Sequence, residues 1–142
     1  MPRYMIQVRA TAMSEAGDFP DDPTLVPRMM AFHDEMAKAG VLLDGAGLQP
    51  SSQGFRVQYD AAGLARVMDG PFAEAKELIA GYTLIEVRSR DEALAWARRF
   101  PAPFPGQPCC IEVRPLMGGI DLPPEDAERI IREQLAAIKR GP

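Results

Sequence analysis

Apolar residues fall at every second position in Tyr4, Ile6 and Val8, between Met5, Gln7 and Arg9, and that period predicts a first strand. The pattern then breaks, and Thr11 to Asp22 is polar and irregular. Asp22-Pro23 has the form of a helix N-cap followed by proline at the first helical position. From there Leu25, Met29, Phe32 and Met36 recur at helical spacing until Gly40, a stop signal. Val41 to Leu48 reads as a second strand, and Pro50-Ser51-Ser52 as a turn. Gly54 to Tyr59 is a third strand with Phe55, Val57 and Tyr59 on one face. Asp60-Ala61-Ala62-Gly63 closes a hairpin into Leu64 to Met68, and Leu78 to Val87 is the most apolar strand of the chain. Ser89-Arg90-Asp91-Glu92 has capping-box spacing and introduces a helix through Phe100. Pro101, Pro103, Pro105 and Pro108 make the next segment a stiff loop, before a last strand from Cys109 to Arg114.

With the extra hairpin set aside, the order is β-α-β-β-α-β, an α+β arrangement of ferredoxin-like type. The penultimate core strand carries Ile79, Ile85 and Val87 on one side and Leu78, Tyr82 and Leu84 on the other. Two helices cover one face of such a sheet. The other face requires a partner, and a second copy of the same sheet supplies one, so the pattern predicts a homodimer. Residues 116–142 lie beyond this core (1–115) as a C-terminal extension. Gly118-Gly119 forms a joint, Pro123-Pro124-Glu125-Asp126 opens a helix, and Ala127, Ile130, Ile131, Gln134, Leu135 and Ile138 share one stripe. That stripe is expected to dock on its own subunit or a neighbouring one.

A length of 142 residues bounds the chain to a single core, and 46% hydrophobic with 25% charged residues is an ordinary globular composition. The net charge of −4 and the absence of a basic cluster longer than Arg98-Arg99 argue against direct nucleic-acid binding. No secretory h-region opens the chain and no apolar run is long enough for a bilayer, which predicts a cytoplasmic protein without a membrane partner. One histidine excludes a multi-histidine metal site within one subunit, and no motif demands a cofactor, so none is expected. Adjacent Cys109 and Cys110 point to opposite strand faces, and the expectation for both is a small buried hydrophobe.

Between the hairpin and the apolar strand lies Met68-Asp69-Gly70-Pro71-Phe72-Ala73-Glu74-Ala75-Lys76-Glu77. Asp-Gly is a turn dipeptide and proline fixes the exit, so the chain must leave the strand sharply here. Asp69-Gly70-Pro71-Phe72-Ala73-Glu74 with Lys76-Glu77 resembles the signature of the DGPF proteins, a branch of the YCII-related family. The resemblance implies a dimeric α+β barrel. It also implies two kinds of role, a cofactor-free enzyme acting on a small molecule in the barrel, or a regulatory subunit that contacts protein partners in transcription alongside an alternative sigma factor.

Three residues are candidates for chemistry. His33 sits at the edge of the buried helical stripe. Asp44 shares a strand face with Leu42, Ala46 and Leu48, where an apolar residue is expected. A carboxylate there requires a partner, because burying it alone costs several kcal/mol. Some YCII-related proteins carry a His–Asp pair proposed as catalytic, and the resemblance makes His33 with Asp44 the nearest pair in this chain. Asp69 either caps the turn made by Gly70 and Pro71 or presents a carboxylate to a pocket. Arg9, Arg56 and Arg66 alternate out of apolar strands and are available to an anionic ligand or to solvent.

Overall fold

The most apolar segment of the chain becomes an inner strand, as its composition requires. The structure, a computed structural model, describes residues 1–118 and 124–141. Its elements run β1 (Arg3–Arg9), α1 (Ala12–Glu15), α2 (Leu25–Lys38), β2 (Leu42–Gly47), β3 (Phe55–Tyr59), β4 (Ala65–Asp69), β5 (Ile79–Glu86), α3 (Arg90–Arg99), β6 (Ile111–Pro115) and α4 (Pro124–Arg140). The sheet order is β2-β5-β1-β6, all antiparallel, and β3-β4 form a separate hairpin. With the hairpin removed, this is the ferredoxin-like order expected from the sequence.

Burial along β5 alternates strictly. Gly81, Thr83 and Ile85 are buried, while Ala80, Tyr82, Leu84 and Glu86 are half-exposed. The buried row faces α2 and α3, where Ile6, Phe32, Met36, Val41, Ile85, Val87 and Ala93 form the core. Phe32 is its hub, with edge-to-face contacts to Trp96 at 5.9 Å and Phe100 at 5.6 Å. The other row stays half-exposed and contributes no residue to that core.

Helix ends follow local chemistry with small shifts. Asp22 Oδ1 accepts from the backbone N–H and hydroxyl of Thr24 at 2.8 and 2.6 Å, so the N-cap of α2 is Thr24 and Asp22 braces the turn before it. Those bonds hold the Asp22 carboxyl below its usual 3.8, the hydroxyl of Thr24 first and its N–H second. For α3, Ser89 Oγ accepts from Glu92 N at 3.2 Å, while Glu92 reaches back one residue further, to Arg88 N at 2.8 Å. The segment read as irregular contains one helical turn, α1, closed by a Thr11–Ser14 capping box. The cysteines are a correction: Cys109 and Cys110 precede β6 on the prolyl loop, and both are free and exposed.

The α4 stripe is present but uncovered, with Ile131, Leu135 and Ile138 exposed by half or more. The hairpin likewise presents Phe55, Tyr59 and Val67 at 64% exposure or above. The Gly118-Gly119 joint and the Pro123 start of the last helix fall partly outside the described residues. No described helix is long and apolar enough to cross a membrane.

Candidate functional site

His33 projects from α2 toward β5 and uses both ring nitrogens. Its Nδ1 lies 2.8 Å from the carbonyl oxygen of Met29, one turn earlier, and its Nε2 lies 2.8 Å from Thr83 Oγ1. A carbonyl only accepts, so the Nδ1 position carries a proton in either charge state. In the neutral ring, Nε2 therefore accepts from the Thr83 hydroxyl. In the imidazolium, Nε2–H donates to Thr83 Oγ1, and the hydroxyl proton is freed to point elsewhere. This hydrogen-bonded couple, which can reverse its direction, has the form of a two-member relay whose outer member is a hydroxyl. The ring is also fixed by edge contacts with Phe32 at 6.1 Å and Phe100 at 5.9 Å.

The relay borders a cavity of about 280 Å³ between α2 and the sheet, walled by Val8, Met29, Phe100 and the backbones of β2 and β5. Gly45 helps to keep it open. A Cβ there would stand 3.6 Å from Thr83 Oγ1 and 3.7 Å from His33 Cδ2, filling the space above the relay. No lysine, arginine or carboxylate side chain is among its lining residues, so His33 is its only titratable group besides Tyr82.

Asp44 does not join His33. The β2–β5 register shifts between Leu42 and Asp44, so that Leu42 pairs with Ile85 but Asp44 pairs with Leu84. This β-bulge inserts one residue, Leu43, and breaks the alternation that the sequence reading assumed. Leu42 therefore stays on the helix-covered face and Asp44 turns to the open one. There it is exposed, not buried; its Oδ1 accepts from Gly45 N at 2.8 Å and its Oδ2 from the Tyr82 hydroxyl at 3.1 Å. Tyr82 and Thr83 are consecutive in β5 and so point to opposite faces, one held by the carboxylate and the other by the imidazole. The Asp44 hydrogen bond and charge raise the Tyr82 phenol above its ordinary 10.0. Asp44→Asn is expected to bring the Tyr82 ionisation back down, read as a shifted tyrosinate transition in an ultraviolet titration. The sign follows from preferential protonation in the fold: this contribution is complete at neutral pH and is lost as pH rises through the Tyr82 pKa. An unchanged transition in Asp44→Asn would show that the pair is not formed in solution.

Asp69 lies elsewhere again, at the end of β4. Its turn is satisfied by residues distant in sequence. Gly70 N donates to the carbonyl of Gly54 at 2.9 Å and Phe72 N to Ser51 Oγ at 3.0 Å, while Ser51 donates through its hydroxyl and its N–H to Glu15. The Gly70-Pro71 peptide is cis. Asp69 is exposed and makes none of these bonds, so the cap is Ser51. The three arginines are dispersed. Arg9 donates to the Lys76 carbonyl and lies 4.0 Å from Glu112, Arg56 stacks 3.9 Å over the Phe72 ring, and Arg66 bonds Gln58. They form no common anion site.

Among the described residues, no group of three or more His, Cys, Asp or Glu side chains is placed to hold a metal ion. Thr83 was missed by the sequence reading, although the signal was there: a hydroxyl on the inward row of the most apolar strand, 2% exposed, requires a partner as much as a carboxylate does.

The profile of the YCII-related domain matches residues 3–117, which spans β1 to β6 and every residue of the relay. The chain belongs to the YCII-related family. The chain is also similar to the uncharacterized protein R00369 of Rhizobium meliloti (strain 1021). It is 38% identical over 96 residues, covering 68% of this chain and 76% of its own.

Proposed function

We propose that this YCII-related chain, of the DGPF branch, is a homodimeric small-molecule-binding protein with a cofactor-free proton-transfer site. In this reading His33 is the base and Thr83 the hydroxyl that passes the proton to or from the ligand. The observation that carries it is the 2.8 Å contact of the only histidine with a buried hydroxyl at the edge of an apolar cavity. Asp44 and Asp69 are outside the cavity lining. Asp44 instead orients Tyr82 on the open face, where a second subunit would complete a dimeric barrel, and Asp69 takes no part in the chemistry. Residues 1–115 carry the site, and the 116–142 extension serves assembly.

Phenol is a suitable first probe, because it pairs one hydroxyl with a ring that suits walls of Met29, Val8 and Phe100. One histidine per chain gives one imidazole signal in the NMR spectrum. Phenol is expected to shift that signal in the wild-type protein and not in Thr83→Val, while Asp44→Asn responds as wild type does. An imidazole indifferent to phenol, or equally responsive without the threonine hydroxyl, would remove the relay.

The uncovered apolar surfaces favour protein contact as well. Phe55, Tyr59 and Val67 on the hairpin and Ile131, Leu135 and Ile138 on α4 are too extensive to be left in water. We assign them, with the open sheet face, to a second copy of the chain. Light scattering at micromolar concentration is expected to give twice the 15.6 kDa chain mass. A stable monomer would return those surfaces to the alternative role, a regulatory subunit bound to a different protein such as an alternative sigma factor.

A further inference from the structure

The cavity at His33 has a neighbour. A second space, of about 420 Å³, lies at the other end of α2, lined by Leu25, Leu48, Pro103, Phe104, Phe19 and Pro20 among others. The two share Gly47 and Ala80 at the end of the β2–β5 ladder, where Gly47 pairs with Gly81 and Leu48 N donates to the Ala80 carbonyl. Leu25, Met29 and His33 are spaced four apart on α2 and so line up on one face of the helix. The two spaces therefore follow one helix stripe for eight residues, about 12 Å at 1.5 Å per residue.

Polarity is divided along that path. The His33 end offers the Thr83 hydroxyl and the imidazole. The far end is mainly apolar; of its polar side chains, Ser14 is spent on the α1 capping box, and Asp18 and Gln49 are exposed. Neither space is lined by a lysine or arginine, so nothing there would neutralise a charged tail. Gly47 stands where the two spaces meet, and a Cβ built on it meets nothing within 4 Å, so open space lies beside its backbone.

We infer that the two spaces form one groove for a neutral, amphipathic small molecule, with a hydrogen-bonding head at Thr83 and His33 and an uncharged apolar tail running past Gly47 to Phe104. This rests on the relay reading and extends it to a class of ligand. An aromatic or enolic hydroxyl with an alkyl substituent has the required shape, and a hydrophilic or carboxylate-ended chain does not.

The test uses phenol, 4-ethylphenol, 4-butylphenol and 4-(4-hydroxyphenyl)butanoic acid, with binding followed on the His33 imidazole signal of the full chain. Affinity is expected to rise about fourfold per methylene from phenol to 4-butylphenol, the usual gain for burying a methylene group. The butanoic acid is expected to gain nothing over phenol. Leu48→Glu, at a residue that lines the second space and not the first, puts a charge where the tail would lie and is expected to abolish the chain-length gain while phenol itself still shifts His33. Should that variant fail to fold, nuclear Overhauser contact between the terminal methyl of 4-butylphenol and the Phe104 ring in the wild-type protein decides the same point. Phenol binding at His33 with no gain from the butyl chain, a gain that survives Leu48→Glu, or a carboxylate tail bound as tightly as butyl would overturn the groove and leave the relay standing. No response of His33 to any of the four would overturn both.

Discussion

Phe32→Ala is expected to lose about 3–5 kcal/mol of unfolding free energy, the range for deleting a large aromatic side chain from a packed core. Phe32 is 5% exposed and touches Trp96, Phe100 and His33 ring-to-ring, with the Arg99 guanidinium 5.8 Å from its ring centre. Removing it leaves a cavity between α2 and α3 that three other rings cannot fill without leaving their own contacts. The measurement is urea denaturation at fixed protein concentration, since the proposed dimer would add a concentration-dependent share. Phe19→Ala, at a side chain 90% exposed, is the control and should move stability by no more than about 0.5 kcal/mol. A loss below about 1.5 kcal/mol at Phe32 would mean that the aromatic cluster is not the centre of the core.

Gly70→Ala is expected to cost about 3 kcal/mol, at the upper end of what an added methyl does in a filled site. The reason is steric. A Cβ at Gly70 would lie 1.8 Å from the carbonyl oxygen and 2.7 Å from the carbonyl carbon of Ser51, and both are backbone atoms with nowhere to swing. Moving Ser51 also disturbs its bonds to Phe72 and Glu15, which tie the turn to β4 and α1. Asp69→Ala, one residue earlier, removes no hydrogen bond seen here and should stay within about 0.5 kcal/mol. The two substitutions therefore separate close backbone approach from carboxylate capping, and comparable losses would restore the capping reading of Asp69.

The contrast between those neighbours marks what a linear reading can reach. Local signals located the three long helices and the six strands of the described residues, because alternation, helical spacing, capping residues and glycine stops act within a few positions. The sharp turn at Gly70-Pro71 was legible for the same reason. The group that satisfies it was not, since Ser51 comes from 21 residues away and only the folded hairpin brings it there. The site divides in the same manner. His33 stood out as the only imidazole at the edge of a buried stripe, and it does line the cavity. Its partner was misassigned because strict alternation was carried through a strand that contains a bulge, and nothing in Leu42-Leu43-Asp44 announces an extra residue. The cysteines failed for a related reason: the prolyl loop runs on to Cys110, so residues read as strand lie outside it.

That bulge gives the sheet an unusual property under changes of chain length. Side-chain direction in a strand depends on the parity of the residue count, so deleting one residue reverses every side chain beyond it until the next irregularity. Leu43 is itself the residue that the bulge inserts, so loss of its single codon would let Asp44 follow Leu42 directly in a regular ladder, still opposite Leu84 and still within reach of Tyr82. Gly45 would keep its place opposite Thr83, and the imidazole its hydroxyl partner. A register in which Leu43 itself paired with Leu84 would instead bring Asp44 opposite Thr83, on the imidazole's side, with no change in the sequence. The pairing of the edge strand therefore sorts the two arrangements, and a residue count between α2 and the aspartate does not.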